Sequence, residues 1–170
     1  MLIEKYRLNI FSVLKILFAV MYIYFYLVSE AAYGYITAAL IALSYYICVY
    51  TDEYAAERYA YVGYNPIFSQ MADIVFSMSV YLCFAWNHVY PFIAVVIFLL
   101  HDVLSLFLAF SGKRAGYTQK LYIIYQTVFI FSMTGQFVSV KGSIIMLFVM
   151  VFVTFLHMAD LIYTAKEEMS

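Results

Sequence analysis

Long uninterrupted runs of apolar residues dominate the chain. Six runs have the length of about 20 mostly apolar residues that a membrane helix needs, and short polar stretches separate them. The runs cover residues 8–28, 32–50, 67–86, 90–110, 121–138 and 142–163. Because they are continuous rather than alternating, they predict helices in preference to barrel strands. We therefore expect an all-α integral membrane protein with six transmembrane helices in a single domain, residues 1–170.

The composition excludes several classes of protein. Hydrophobic residues make up 67% of the chain and charged residues 11%, against about 45–50% and 25% in soluble domains. A soluble fold cannot bury so much apolar surface, which also excludes a disordered chain. The net charge of −1 provides no polyanion-binding surface, so a nucleic-acid partner is not expected. Both cysteines, Cys48 and Cys83, lie in apolar runs, which indicates neither a disulfide framework nor a metal cluster.

The basic residues predict an orientation. In a six-span arrangement eight of the nine lie on one side and Lys141 alone lies on the other. By the positive-inside rule both termini are then cytoplasmic, in an inner or plasma membrane. The two longer polar segments, 51–66 and 111–120, are expected as loops on that cytoplasmic side. Many tyrosines lie near the ends of the runs, which favours an aromatic belt at the headgroup layer that includes Tyr50, Tyr90, Tyr122 and Tyr163.

Ionisable residues inside a span are costly and are functional candidates for that reason. Lys15 either snorkels to the cytoplasmic interface or turns inward. Ser69, Asp73 and Ser77 recur every four residues and form one polar stripe on the third helix. Such a stripe predicts a face towards a wet cavity or a partner helix.

Two further pairs of ionisable residues lie in the later spans. His101 and Asp102 are adjacent, so their side chains point about 100° apart and cannot both face lipid cheaply. His157 and Asp160 are three residues apart and share one helix face, which favours a structural bridge to another helix. Together with Asp73, these residues are also the candidates for a polar transport pathway.

Short fragments in the same order as the spans resemble the CDP-alcohol phosphatidyltransferases, most closely their phosphatidylglycerophosphate synthase branch. Those enzymes often begin with N-x-x-T-x-x-R, and here Asn9, Ser12 and Lys15 keep that spacing. Their signature, DxxDGxxAR, eight residues and GxxxDxxxD, starts at the end of the second helix, where this chain has Thr51-Asp52. Later fragments that look similar are His101-Asp102, Gln119-Lys120, Gln126 and the segment 163–166.

The resemblance implies a six-helix bundle that pairs as a homodimer and binds a CDP-diacylglycerol-like lipid. Without gaps, the first and third aspartates of the signature fall on Asp52 and Asp73, which become the implied metal ligands, with Asp73 also the catalytic candidate. Ala55 and Ser77 replace the second and fourth aspartates, and a gapped register places Asp73 on the fourth instead. The implied substrate-binding residues are Asn9, Ser12, Lys15, Ser69, Ser77 and Lys120.

At most two of the four signature aspartates remain in either register. Two divalent cations held close together repel each other unless several carboxylates share them. We therefore expect at most one weak Mg²⁺ or Mn²⁺ site, and a catalytically impaired homologue in phospholipid metabolism that binds lipid or a membrane partner. The alternatives are an active transferase that moves a phosphatidyl group to an alcohol such as glycerol 3-phosphate, with Glu53 or Glu57 as substitute ligands, and a small transporter or channel subunit.

Overall fold

The computed structural model describes residues 10–28, 32–59, 66–110 and 118–167. Within these ranges all the regular secondary structure is helical, with no strand, and the all-α prediction is confirmed. The helices are α1 (Ile10–Ile23), α2 (Ala32–Tyr59), α3 (Pro66–Trp86), α4 (Phe92–Phe110), α5 (Gln119–Thr134) and α6 (Val140–Glu167). A π-helical segment, Tyr24–Val28, continues α1.

Four of the helical segments are long and apolar enough to cross a membrane, which supports the prediction of a membrane protein. They are Ile10–Val28, Tyr33–Thr51, Ile67–Trp86 and Val140–Lys166. The apolar helix Phe92–Leu108 in α4 is shorter, and α5 has only 16 residues, or about 24 Å of rise. Membrane character is thus supported, whereas the number of six spans stays a prediction.

The second helix is longer than the apolar run that predicted it. Residues 51–59 were expected in a loop, but α2 continues to Tyr59. The continuation TDEYAAERY contains alanine, glutamate and arginine, which favour a helix although they end the apolar run. Asp52 therefore lies on a helix, although the structure does not describe its side chain.

The helices form a bundle in which each neighbour along the chain runs back in the opposite direction. α1 packs against α2 and α3, α2 also contacts α5, α3 contacts α4, and α6 packs against α4 and α5. The first turns of α1, α3 and α5 consequently lie at the same end as the last turns of α2, α4 and α6. We call this end, which carries Lys15, Lys120 and Lys166, the basic end, and the opposite end the aromatic end.

The two connections described at the aromatic end use the same backbone motif. After α3, the Val89 N–H donates to Phe84 O and the His88 N–H to Ala85 O. After α5, the Phe137 N–H donates to Ser132 O and the Gln136 N–H to Met133 O. These are Schellman motifs, with His88 and Gln136 at a φ of 54° in the position where glycine is usual. Each motif satisfies terminal carbonyls and turns the chain back within five residues.

Candidate functional site

Four side chains from three helices meet near the basic end, and we call them the Lys15 cluster: Lys15 of α1, Tyr45 of α2, and Ser69 and Asp73 of α3. The Lys15 ammonium donates to Ser69 Oγ at 2.8 Å and lies 3.0 Å from Asp73 Oδ1 and 3.2 Å from Asp73 Oδ2. The Tyr45 hydroxyl donates to Asp73 Oδ1 at 2.7 Å. The inward direction expected for Asp73 is thereby confirmed.

The geometry decides between the two interpretations of Lys15. Its side chain is only 1% exposed and turns into the bundle, so it does not snorkel to the interface. The Asp73 side chain keeps 26% of its surface exposed. A buried ammonium is tolerated because a carboxylate and a hydroxyl replace its water. A divalent cation that approached Asp73 would have to displace or repel this ammonium, so the ion pair opposes metal binding at Asp73.

The other residues implied by the resemblance are placed unevenly. Ser12 is buried, and its Oγ has no hydrogen-bond partner among the described residues. Ser77 is buried one turn beyond Asp73 on α3. Lys120 is exposed in the first turn of α5. Asn9 and the side chain of Asp52 lie outside the described part of the chain, so their roles stay predictions.

A second group of polar side chains joins α4, α5 and α6, and we call it the histidine cluster: His101, Asp102, Thr118, Tyr122, His157 and Asp160. His101 Nδ1 lies 3.0 Å from Asp102 Oδ1. Thr118 donates to Asp160 Oδ2 through both its N–H, at 2.7 Å, and its hydroxyl, at 2.9 Å. His157 Nδ1 lies 2.9 Å from Thr118 Oγ1. The interhelical bridge expected of His157 and Asp160 is confirmed, and it reaches the start of α5.

Three aromatic rings pack together inside the histidine cluster. Tyr122 stacks against His101 at 4.3 Å and against His157 at 5.0 Å between ring centroids. The two imidazole rings are 5.2 Å apart. Tyr122 and Tyr90 are both buried, so the prediction that they belong to an interfacial belt is wrong. Tyr50 and Tyr163 are exposed as that prediction requires.

Two partners in these clusters were not foreseen from the sequence. Tyr45 lies 28 residues from Asp73, and Thr118 lies 39 residues from His157. No local spacing relates residues so far apart. The one available signal was the placement of Tyr45 five residues inside its apolar run, too deep for a belt tyrosine.

Among the residues that the structure describes, no three His, Cys, Asp or Glu side chains surround a common point. The chain matches no protein-family model, no curated protein and no solved structure in the comparisons made. The site is therefore interpreted from its own contacts and charges.

Proposed function

We propose that this chain is a membrane-embedded phospholipid-binding protein with a bundle like that of the CDP-alcohol phosphatidyltransferases and without their turnover. The observation that carries the proposal is the ion pair of Lys15 with Asp73. In the resembling enzymes the residue at the Asp73 position would hold metal. Here an ammonium group contacts both oxygens of that carboxylate. A carboxylate held this way is a poor ligand for a catalytic cation.

Binding of a polar headgroup is supported by the surroundings of the pair. Ser12 lies one helical turn before Lys15 and on the same face of α1. Its buried hydroxyl meets no protein partner in the described chain, although buried polar groups are almost always hydrogen-bonded. A phosphate oxygen is a suitable acceptor for that hydroxyl. The pair itself carries one positive and one negative group, which suits a headgroup with polar atoms of both kinds.

The acyl chains of such a lipid would lie along the apolar outer faces of the helices. Residues such as Leu14 and Leu17 of α1 and Met71 and Val75 of α3 are exposed near the Lys15 cluster. They alternate in sequence with the inward-facing Ser12, Lys15, Ser69 and Asp73. A lipid at this edge would present its headgroup to the cluster and its tails to the outer face.

The decisive test separates binding from turnover on the same preparation. The protein is purified in nanodiscs of phosphatidylcholine doped with CDP-diacylglycerol or phosphatidylglycerol. Native mass spectrometry should then detect retained phospholipid. With Mn²⁺ and glycerol 3-phosphate added, no CMP should be released from CDP-diacylglycerol. Metal-dependent CMP release would establish the transferase alternative, and loss of all lipid in mild detergent would refute the binding proposal.

Matched variants locate the bound lipid. Lys15→Met and Ser12→Ala should each reduce retention of the doped lipid, because both remove polar contacts at the Lys15 cluster. Lys141→Met and Ser143→Ala are the controls, since both residues lie at the first turns of α6, at the aromatic end. Equal loss of lipid in variants and controls would show binding to the general apolar surface rather than to the cluster.

The alignment itself has a separate test in metal affinity. Ala55→Asp with Ser77→Asp would restore four carboxylates in the ungapped register. The double variant should bind Mn²⁺ more tightly because it adds two carboxylates. Adding Lys15→Met should strengthen binding again, because Lys15 competes with the cation for Asp73. If four carboxylates do not raise Mn²⁺ affinity in either background, the ungapped register is wrong.

Topology and assembly complete the proposal. We infer both termini to be cytoplasmic and the chain to pair as a homodimer. A cysteine placed at Asn87, in the link after α3, should be labelled from outside the cell, and one at Ser170 should not. Labelling of Ser170 from outside would overturn the orientation. A single chain in the native mass spectrum from mild detergent would overturn the dimer.

One observation supports the transport alternative. Its candidate residues all lie within the bundle or at its basic end, namely Asp73, His101, Asp102, His157 and Asp160. Its weakness is the aromatic end, where the contacts between the described side chains are mainly between rings. Flux of ions or protons into liposomes containing the protein, absent from empty liposomes, would favour transport over lipid binding.

A further inference from the structure

The histidine cluster contains two imidazoles, two carboxylates and a threonine bridge that the proposed lipid site does not use. His101 is 4% exposed and Asp102 5% exposed, and His157 is buried as well. His101 Nε2 and Asp102 Oδ2 have no hydrogen-bond partner among the described residues. Ionisable groups this far from water are expensive inside a bundle.

The hydrogen bonds determine where each histidine holds its first proton. Thr118 has a single hydroxyl hydrogen, and it is donated to Asp160 Oδ2. The contact between Thr118 Oγ1 and His157 Nδ1 therefore requires a hydrogen on Nδ1. His101 Nδ1 faces a carboxylate oxygen of Asp102. Because that oxygen accepts a hydrogen bond, His101 Nδ1 also holds a hydrogen. In both rings the atom left to take up a second proton is Nε2.

The two rings are too close for both to be charged easily. Their centroids lie 5.2 Å apart, with Tyr122 stacked against both. Two positive charges at that distance in a medium of low dielectric repel strongly. The carboxylates of Asp102 and Asp160 attract a first proton and so oppose the cost of placing a charge in a buried ring. The repulsion between the two rings resists a second proton.

From these contacts we propose that His101, Asp102, His157 and Asp160 form a binding site for one exchangeable proton, shared between the two imidazoles and linking α4 to α6. Among the described residues the other groups that face the site are neutral: Thr118 and Tyr122 from α5, Tyr81 from α3, and Tyr45 and Tyr46 from α2. These four tyrosines interact electrostatically with Asp102. The charged groups of Lys120 and Lys166 at the same end of the bundle are exposed. A metal cation is disfavoured because His101 occupies one oxygen of Asp102.

Histidine NMR of the full chain in nanodiscs tests the site directly. The protein has three histidines, and His88 is exposed in the link after α3, so it serves as an internal control. In ¹⁵N spectra the neutral forms of His101 and His157 should both carry hydrogen on Nδ1. If either neutral ring carries its hydrogen on Nε2, the proposal is wrong. This measurement needs no variant.

Coupling is tested by changing one ring at a time. In His157→Gln the ¹⁵N signals of His101 should respond differently to pH, because a competing positive charge is gone. His88→Gln should leave that response unchanged. Independent one-site titrations of His101 and His157 in the unaltered protein would overturn the shared site. The histidine titrations are also compared in Na⁺ and in N-methylglucamine at constant ionic strength. A difference between the two would identify a site for a metal cation and would overturn the proposed proton site.

Discussion

The two ends of this bundle hold the same helices together by different chemistry. At the basic end the contacts between helices include the ion pair of Lys15 with Asp73 and the hydrogen bonds of Thr118 with His157 and Asp160. At the aromatic end they are contacts between rings, with Phe84 in edge contact with Tyr26, Tyr90 and Phe129. A buried hydrogen bond between the Tyr22 hydroxyl and Thr134 Oγ1, at 2.8 Å, also crosses that end.

The difference indicates which end is built for stability and which for chemistry. The acyl chains of lipids are as apolar as a leucine side chain. Helices in a membrane therefore associate through close packing and polar contacts rather than through exclusion of water. Interlocked rings supply close packing at no desolvation cost. Buried charges supply attraction, but they first lose their hydration. The basic end therefore retains buried charges at a cost in hydration. The aromatic end shows that the helices can pack without them.

The largest effect is expected from breaking the ion pair. Asp73→Asn removes the carboxylate that contacts the buried Lys15 ammonium and should lower the free energy of unfolding by about 3–5 kcal/mol. Lys15→Met combined with Asp73→Asn removes both charges and should recover most of that loss. Reversible unfolding in mixed detergent micelles measures both. If the losses of the single variants simply add, the two side chains do not interact.

At the aromatic end, removing one ring should cost somewhat less. Phe84→Ala leaves a cavity among Tyr26, Tyr90 and Phe129, and we expect a loss of about 3 kcal/mol in the same unfolding measurement. Trp86→Ala on the same helix is the control, since Trp86 is 78% exposed. A Phe84 variant as stable as the Trp86 variant would contradict the account of the aromatic end as the packed end.

A smaller effect is expected from the hydrogen bond at the aromatic end. Tyr22→Phe removes the hydroxyl and leaves Thr134 Oγ1 buried without that partner, which should cost about 1 kcal/mol. Adding Thr134→Val removes the stranded hydroxyl and should restore part of the stability. Tyr24→Phe, at an exposed ring two residues away, should change nothing measurable. Equal effects at positions 22 and 24 would show that the bond contributes no stability.

The smallest effect concerns the backbone of the links. His88 adopts a φ of 54°, which glycine adopts without a steric penalty. His88→Gly should therefore stabilise the protein by about 0.5 kcal/mol after the entropy cost of glycine is included. Val89→Gly, at a neighbouring exposed position, is the control and should not stabilise. A loss of stability in His88→Gly would mean that the histidine ring contributes contacts of its own.

Much of the fold could be predicted from the sequence because hydrophobic runs report helices directly. The runs at 67–86 and 90–110 closely match α3 and α4. The boundaries failed where a helix left the apolar stretch, as α2 does after Tyr50, since the end of hydrophobicity is not the end of helical propensity. The candidate site was foreseen in part, through the four-residue repeat of Ser69, Asp73 and Ser77.

The sequence by itself determined the all-helical class, the apolar character of the chain and the polar face of α3, because these depend on residue type and local periodicity. Only the tertiary structure decided what each polar side chain contacts. It turned Lys15 inward to Asp73 instead of outward to the interface, and it packed Tyr122 against two histidines instead of placing it at the membrane surface. The physical reason is that a buried charge or ring is stabilised by partners from other helices, and those partners lie tens of residues away along the chain.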